Sequence, residues 1–216
     1  MVSSSTDKIA VRDRVIADCE GHIANYDNLT TKTYKSEKYD LEAHCGDLEG
    51  APIAVTKAKV PGLTKEKIQE FRANFVANIS KFNKDVTFTD IGEVDGAPVR
   101  LQKIKMPMMI SNRAMINVYH FVENEDGSFI NVNTSQGNED LYETYKKEVG
   151  KDVVALNRFN FQKFIPMEGG IEVHFVSCTD PQGSIPAMLK AKGSTRIMKM
   201  SERLVHYWMT GQVLDN

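Results

Sequence analysis

Apolar and polar positions along this chain alternate with two different periods, and the switches between them mark its elements. Residues 7–26 have helical spacing: Ile9, Ile16 and Ile23 stand two turns apart, and Val15 and Cys19 widen the same stripe. Ser5 or Thr6 is placed to cap that helix. The runs "TKTYKSEKY", "DLEAHCGD" and "APIAVTKAKV" follow. Broken by Gly46 and Gly50, they predict three antiparallel strands. Helical spacing returns after Thr64, a capping residue, and puts Ile68, Phe71, Phe75 and Ile79 on one face of a helix reaching about Phe82.

Strand spacing then holds from Val86 to about Asp180, through "VTFTDIGEV", "APVRLQKIK", "RAMINVYHFVE", "SFINVNTSQ", "VVALNRFNFQKFIP" and "IEVHFVSCT". The separators "DG" at 95–96, "NEDG" at 124–127 and "EGG" at 168–170 read as hairpin turns. An insertion, "GNEDLYETYKKEVG", predicts a helical turn, and Ile185 to about Thr210 predicts the last helix. Strands joined by short turns form an antiparallel sheet, and about nine of them twist and curl strongly. A curled sheet has a concave face to fill, and the long terminal helix is the available filler. The expected class is α+β, a helix-grip fold. A strongly curved antiparallel sheet of about nine strands wraps a long C-terminal helix, with an N-terminal helix and another after the third strand. Such a sheet often leaves a cavity beneath its helix.

Composition narrows the function. The 216 residues predict one domain over 1–216. A formal net charge of −2 recruits neither nucleic acid nor an anionic membrane by bulk charge. No apolar run approaches the roughly 20 residues of a membrane span, and the amino terminus lacks the apolar core of a secretory signal. Cys19, Cys45 and Cys178 are far apart and odd in number, which argues against a disulfide framework and for a reducing, cytoplasmic location.

Catalytic motifs are missing from the sequence. His22, His44, His120, His174 and His206 form no metal-ligand spacing, so no metal and no cofactor is expected. His44 and Cys45 are adjacent strand residues pointing to opposite faces, so the pair reads as a surface histidine beside a core cysteine, not a nucleophile and base. The methionines say more. "KMPMMISN" places Met106, Met108 and Met109 in a loop, and Met188, Met198, Met200 and Met209 lie on the last helix. Flexible methionines suit surfaces that meet variable apolar partners; they also fill gaps in cores. Gly193 in the last helix reads either as a soft point or as a close contact.

Two stretches carry a family likeness. "MPMMISNRAMINVYHFVENEDGSF" and the corner "DPQGSIPAML" resemble the loop-strand-turn segment and the Asp-Pro-x-Gly-Ser-x-Pro corner of START domains, the steroidogenic acute regulatory protein-related lipid-transfer family. The resemblance covers roughly residues 7–210. This chain has Ala114 where the family has Asp, and "FNKD" where it has Trp-Asp. It has Tyr119 where sterol-transporting members carry a basic residue. The resemblance implies a cavity holding one lipid, closed by the loop at 106–111 and the terminal helix. Asp180 would end a strand, Gly183 allow the turn, Ser184 cap the helix and Pro186 enter its first turn.

Strand parity then predicts a lining. If Arg113 and Tyr119 face inward, so do Met115, Asn117 and Phe121. Asn117 and Tyr119 would bond a head group or satisfy each other or a water, and Arg113 would pair with an acid or with carbonyls. Phe161 and, from the last helix, Met188, Ile197, Met200 and Leu204 complete the expected site; Phe159 is a further inward candidate. The expected partner is a phospholipid, fatty acid or sterol-like ligand, with transient membrane contact and no nucleic acid. The expected function is non-enzymatic lipid transfer or sensing. The alternative is an accessory subunit whose cavity is vestigial or filled by side chains such as Met115, Phe121, Phe159 and Phe161.

Overall fold

The computed structural model describes residues 5–82, 84–107, 109–185 and 187–214, with the side chains of 5, 6, 187–192 and 194 outside the description. Helix α1 spans Ser5–Ala24. Strands β1 (Lys32–Lys35), β2 (Leu41–Leu48) and β3 (Ala51–Pro61) follow, then α2 (Lys65–Ala73) and α3 (Phe75–Ile79). Next come β4 (Val86–Val94), β5 (Ala97–Ile104), β6 (Arg113–Glu123) and β7 (Phe129–Thr134). After α4 (Glu139–Thr144) and α5 (Lys146–Val149) lie β8 (Val153–Val154), β9 (Leu156–Met167), β10 (Gly170–Asp180) and α6 (Ala187–Thr210). The strands form one sheet in the order β1-β2-β3-β10-β9-β7-β6-β5-β4. All pairings are antiparallel except that of β8, which runs parallel to β6 through Arg113–Val153 and Ala114–Val154.

Turn chemistry sets the registers. Glu49-Gly50 and Asp95-Gly96 both have positive φ at each residue, the conformation of a type I′ turn, whose twist matches the strands it joins. Thr64 caps α2 by accepting from Lys67 N at 3.4 Å. The long helix expected over 64–82 breaks at Asn74, whose backbone leaves the helical region. Ser5 and Thr6 lie within α1, and the capping expected of them falls on side chains outside the described residues. Ser184 stands three residues ahead of Ala187 and so does not cap α6; Pro186 lies outside the described residues. Gly46 does not break a strand. It sits within β2, where an added Cβ would come 2.7 Å from Leu29 Cδ2.

Both faces of the sheet are covered. On one face α1 lays Val15, Cys19 and Ile23 against Val55, Val132, Phe161 and Val176. Each such side chain removed from water contributes about 1.5–3 kcal/mol. Lys8 anchors the start of α1: its Nζ lies 2.8 Å from Asp140 Oδ1 and 3.1 Å from Asn138 Oδ1. Helices α4 and α5 extend the same cover over β5 and β6 through Leu141 and Val149. On the other face lies α6. Trp208 stacks on Phe175 and meets Phe164 edge-on, with ring centroids 6.0 and 5.8 Å apart. Met198 packs on Cys45 and Ala54. Cys19, Cys45 and Cys178 are free and buried, and burial raises all three thiols, Cys45 to about 11 and Cys178 to about 12. His44 is buried as well, with its ring 4.5 Å from that of Tyr26, so it is not the surface residue expected from sequence.

Candidate ligand-binding cavity

Cross-strand pairing sorts the α6 face of the sheet into rows. The row beneath the end of α6 is apolar: Phe129, Phe164, Val173, Ala58 and Leu41. The next row runs Phe121, Asn131, Gln162, Phe175 and Thr56, and the one after it Tyr119, Asn133, Asn160, Ser177 and Ala54. Then come Asn157 and Thr179. A cavity of about 580 Å³ opens between these polar rows and α6. Its floor holds Asn131, Asn133, Asn157, Asn160 and Gln162. Its roof is Ile197, Met200, Ser201 and Leu204 of α6. Phe75, Ile79, Val86, Phe88 and Ile104 form an apolar side wall, and Lys105, Pro107 and Arg196 stand exposed at the rim.

A bulge shapes the floor. β9 and β10 pair Cys178 with Phe159 and then Thr179 with Asn157, so Arg158 is the extra residue. The bulge brings Asn157 and Asn160, an odd number of residues apart, to one face. The floor amides bond to one another. Asn157 Nδ2 donates to the side-chain oxygens of Asn117 and Asn133, each at 2.9 Å. Asn117 Nδ2 donates to Gln102 Oε1 at 3.3 Å, and Asn131 Nδ2 to Gln162 Oε1 at 3.4 Å. Asn160 has no such bond among the described residues and is exposed, on a central strand, to the cavity it lines. Tyr119 borders the cavity with its ring 5.4 Å from Phe75 and 4.5 Å from the Arg100 guanidinium. Burial holds its phenol well above the ordinary value, so it stays neutral. Among the described residues no His, Cys, Asp or Glu lines the cavity.

The site expected from sequence divides in three. Met106, Met115, Tyr119, Ile197, Met200 and Leu204 all line the cavity. Met108 and the side chain of Met188 lie outside the described residues. Of the remaining five, four are placed elsewhere and Phe161 stands at the edge of the floor. Met109, at positive φ, is fully exposed. So exposed, Met109 does not pack on α6. Arg113 is buried but serves the backbone: Nε donates to Pro181 O at 2.9 Å, Nη2 to Gln182 O at 3.0 Å, and Nη1 to Ser111 O. Asn117 is fully buried within the amide network behind the lining. Phe121 packs on Phe129 at 5.5 Å, with the Arg72 guanidinium 3.8 Å above its ring. Phe161 borders the cavity floor, yet its side chain packs beneath α1 with Val15 and Cys19. Phe159 does the same, 5.6 Å from the His22 ring. Neither fills the cavity.

Sequence reasoning missed the floor. Its signal is Asn at alternate positions in "INVNT" and amides in "LNRFNFQ", a residue type depleted in strands. The corner behaves as expected in part: Asp180 ends β10 and accepts from Gln182 N at 2.9 Å, and Gly183 has positive φ. Gly193 lies inside continuous α6, and among the described residues an added Cβ would approach nothing nearer than Pro52 Cγ at 3.9 Å, so no close contact with them explains it.

No protein-family model and no curated protein matches the chain. Solved structures do. Human StAR-related lipid transfer protein 5 is 15% identical at a TM-score of 0.67, covering 94% of this chain and 98% of its own. Human STARD10 is 14% identical at 0.63, covering 82% and 72%. A STAR-related lipid transfer protein from Xanthomonas axonopodis is 13% identical at 0.61, covering 83% and 97%. The sheet order, the gripped α6 and these likenesses agree with the resemblance read from sequence: the chain has the helix-grip fold of the START domains.

Proposed function

We propose that this protein is a non-enzymatic carrier or sensor that holds one lipid or other apolar molecule between the sheet and α6. The observation that carries this reading is the unfilled space itself. Close-packed interiors leave few voids larger than a water, whereas here about 580 Å³ stays open under an apolar roof. That volume lies within the range of ligand pockets. It favours a carrier over an accessory subunit with a filled cavity. The names of the structural neighbours, which speak of lipid transfer, support the same class. The described lining holds amides, hydroxyls and apolar side chains and, among the described residues, no acid–base pair, which favours binding over chemistry. One unit over 1–216 fits a sheet that draws strands from Lys32 to Asp180 and takes helices on both faces. No helix among the described residues is long and apolar enough to cross a membrane. We place the protein in the cytoplasm, meeting membranes transiently at the rim, where Pro107 and Met109 are exposed.

Native mass spectrometry of protein purified without detergent tests the reading. A single co-purifying lipid at one-to-one stoichiometry is expected, released by organic extraction. Protein that stays empty after incubation with a mixed cellular lipid extract would favour the accessory-subunit alternative.

A further inference from the structure

The cavity has two unlike walls. The α6 roof and the α3–β4 side wall are apolar, whereas the floor is neutral and rich in amides. From this contrast, and resting on the reading of the cavity as a binding site, we infer the ligand class. It is a compact molecule, single-chained or ring-shaped, that carries uncharged hydroxyl or carbonyl groups along one side and is apolar along the other.

Size makes the first cut. Pockets that enclose one drug-sized molecule run to about 300–1,000 Å³. The cavity offers about 580 Å³. One chain or a fused-ring skeleton is a molecule of that size.

Charge makes the second. Among the described residues Lys105 and Arg196 are the charged ones that line the cavity, and both stand at the rim, Arg196 lying 3.2 Å from Asp85. A phosphate or carboxylate at the floor would meet no cation there, and a buried unpaired charge is costly. A carboxamide instead both donates and accepts, so it matches hydroxyl and carbonyl groups alike. Asn160 is the floor amide with neither end bonded among the described residues, while Asn131, Asn133 and Gln162 each bond to a neighbour through one end. Tyr119, whose hydroxyl has no hydrogen-bond partner among the described residues, offers a second contact in the same row. The polar groups lie across the sheet instead of at one end of the cavity. They therefore select a ligand polar along an edge over one polar only at its tip.

The test uses equilibrium dialysis of the full chain with cortisol, progesterone and dipalmitoyl phosphatidylcholine. The two steroids share a ring skeleton and differ in hydroxyl groups. Cortisol should bind more tightly than progesterone by about ten-fold, the ratio expected of one net hydrogen bond, and the phospholipid should compete with neither. N160L should erase the preference while retaining progesterone; N160S, a milder change, should narrow it if N160L fails to fold. Equal or reversed steroid preference in the wild type, or one-to-one uptake of the diacyl lipid, would overturn the inference while leaving the carrier reading intact. Failure of every probe, including a single-chain fatty acid, would overturn the carrier reading and this inference with it.

Discussion

Asn157 Nδ2 donates to Asn133 Oδ1 at 2.9 Å, joining β9 to β7 across the cavity floor. The same amide reaches Asn117, and the backbone N of Asn157 donates to Ser135 Oγ at 2.8 Å. One side chain thus holds together amides from three strands, at a bulge that would otherwise leave them unaligned. N157L removes the donor and leaves the buried Asn117 oxygen without it. A loss of about 1–3 kcal/mol is expected, measured by urea unfolding at unchanged slope. An unchanged midpoint would mean that the network contributes nothing to stability.

Arg113 ties two connections to one strand, since it donates to Ser111 on the loop before β6 and to Pro181 and Gln182 on the corner before α6. Lysine keeps the charge but not the planar fork. R113K should cost about 1–3 kcal/mol and speed amide hydrogen exchange in both connections. Faster exchange at the loop alone would show that the corner is held by other contacts.

Lys8 and Asp140 form a buried pair. Burial pushes the Asp140 carboxyl up, but the hydrogen bond and charge of Lys8 outweigh it, so its pKa is lowered overall. A carboxylate with a lowered folded-state pKa contributes its stability in full above the unfolded value, about 3.9. That stability is lost as pH falls through the folded value. K8M should therefore cost roughly 3 kcal/mol at neutral pH, and its gap to the wild type should shrink below about pH 4. A gap that does not vary with pH would contradict the ion pair as its source.

Glycine inside a helix costs about 1 kcal/mol against alanine, and the space beside Gly193 admits a methyl group. G193A should raise stability by about that amount, read as a higher unfolding midpoint. A lowered midpoint would reveal a packing constraint at this turn of α6.

Much of the fold was legible because local chemistry dictates it. Thr64 caps its helix, and the Asp95-Gly96 pair turns its hairpin, through contacts spanning only a few residues. Alternation along β6 correctly put Met115 and Tyr119 on the α6 face. The floor was not legible because it depends on a neighbouring strand. The extra residue at Arg158 brings Asn157 and Asn160 to one face, and Phe159 and Phe161, expected inward for their bulk, pack toward α1. Met109 was misplaced for a related reason. Hydrophobicity shows that a residue favours burial, but Met109 sits at a positive-φ turn that aims it at solvent. The START resemblance supplied the cavity, yet not its polarity, which comes from amides outside the matching motifs.

The central claim is that the space under α6 is the binding site, and a cavity-filling substitution tests it most directly. Ile197 lines the roof, and I197W would place an indole in the open volume. Titration with radiolabelled progesterone should give saturable one-to-one binding to the wild type. Binding to I197W should be at least about ten-fold weaker, which is about 1.4 kcal/mol, with the unfolding midpoint no lower than that of the wild type. Equal binding to both proteins would place the ligand elsewhere and contradict the account.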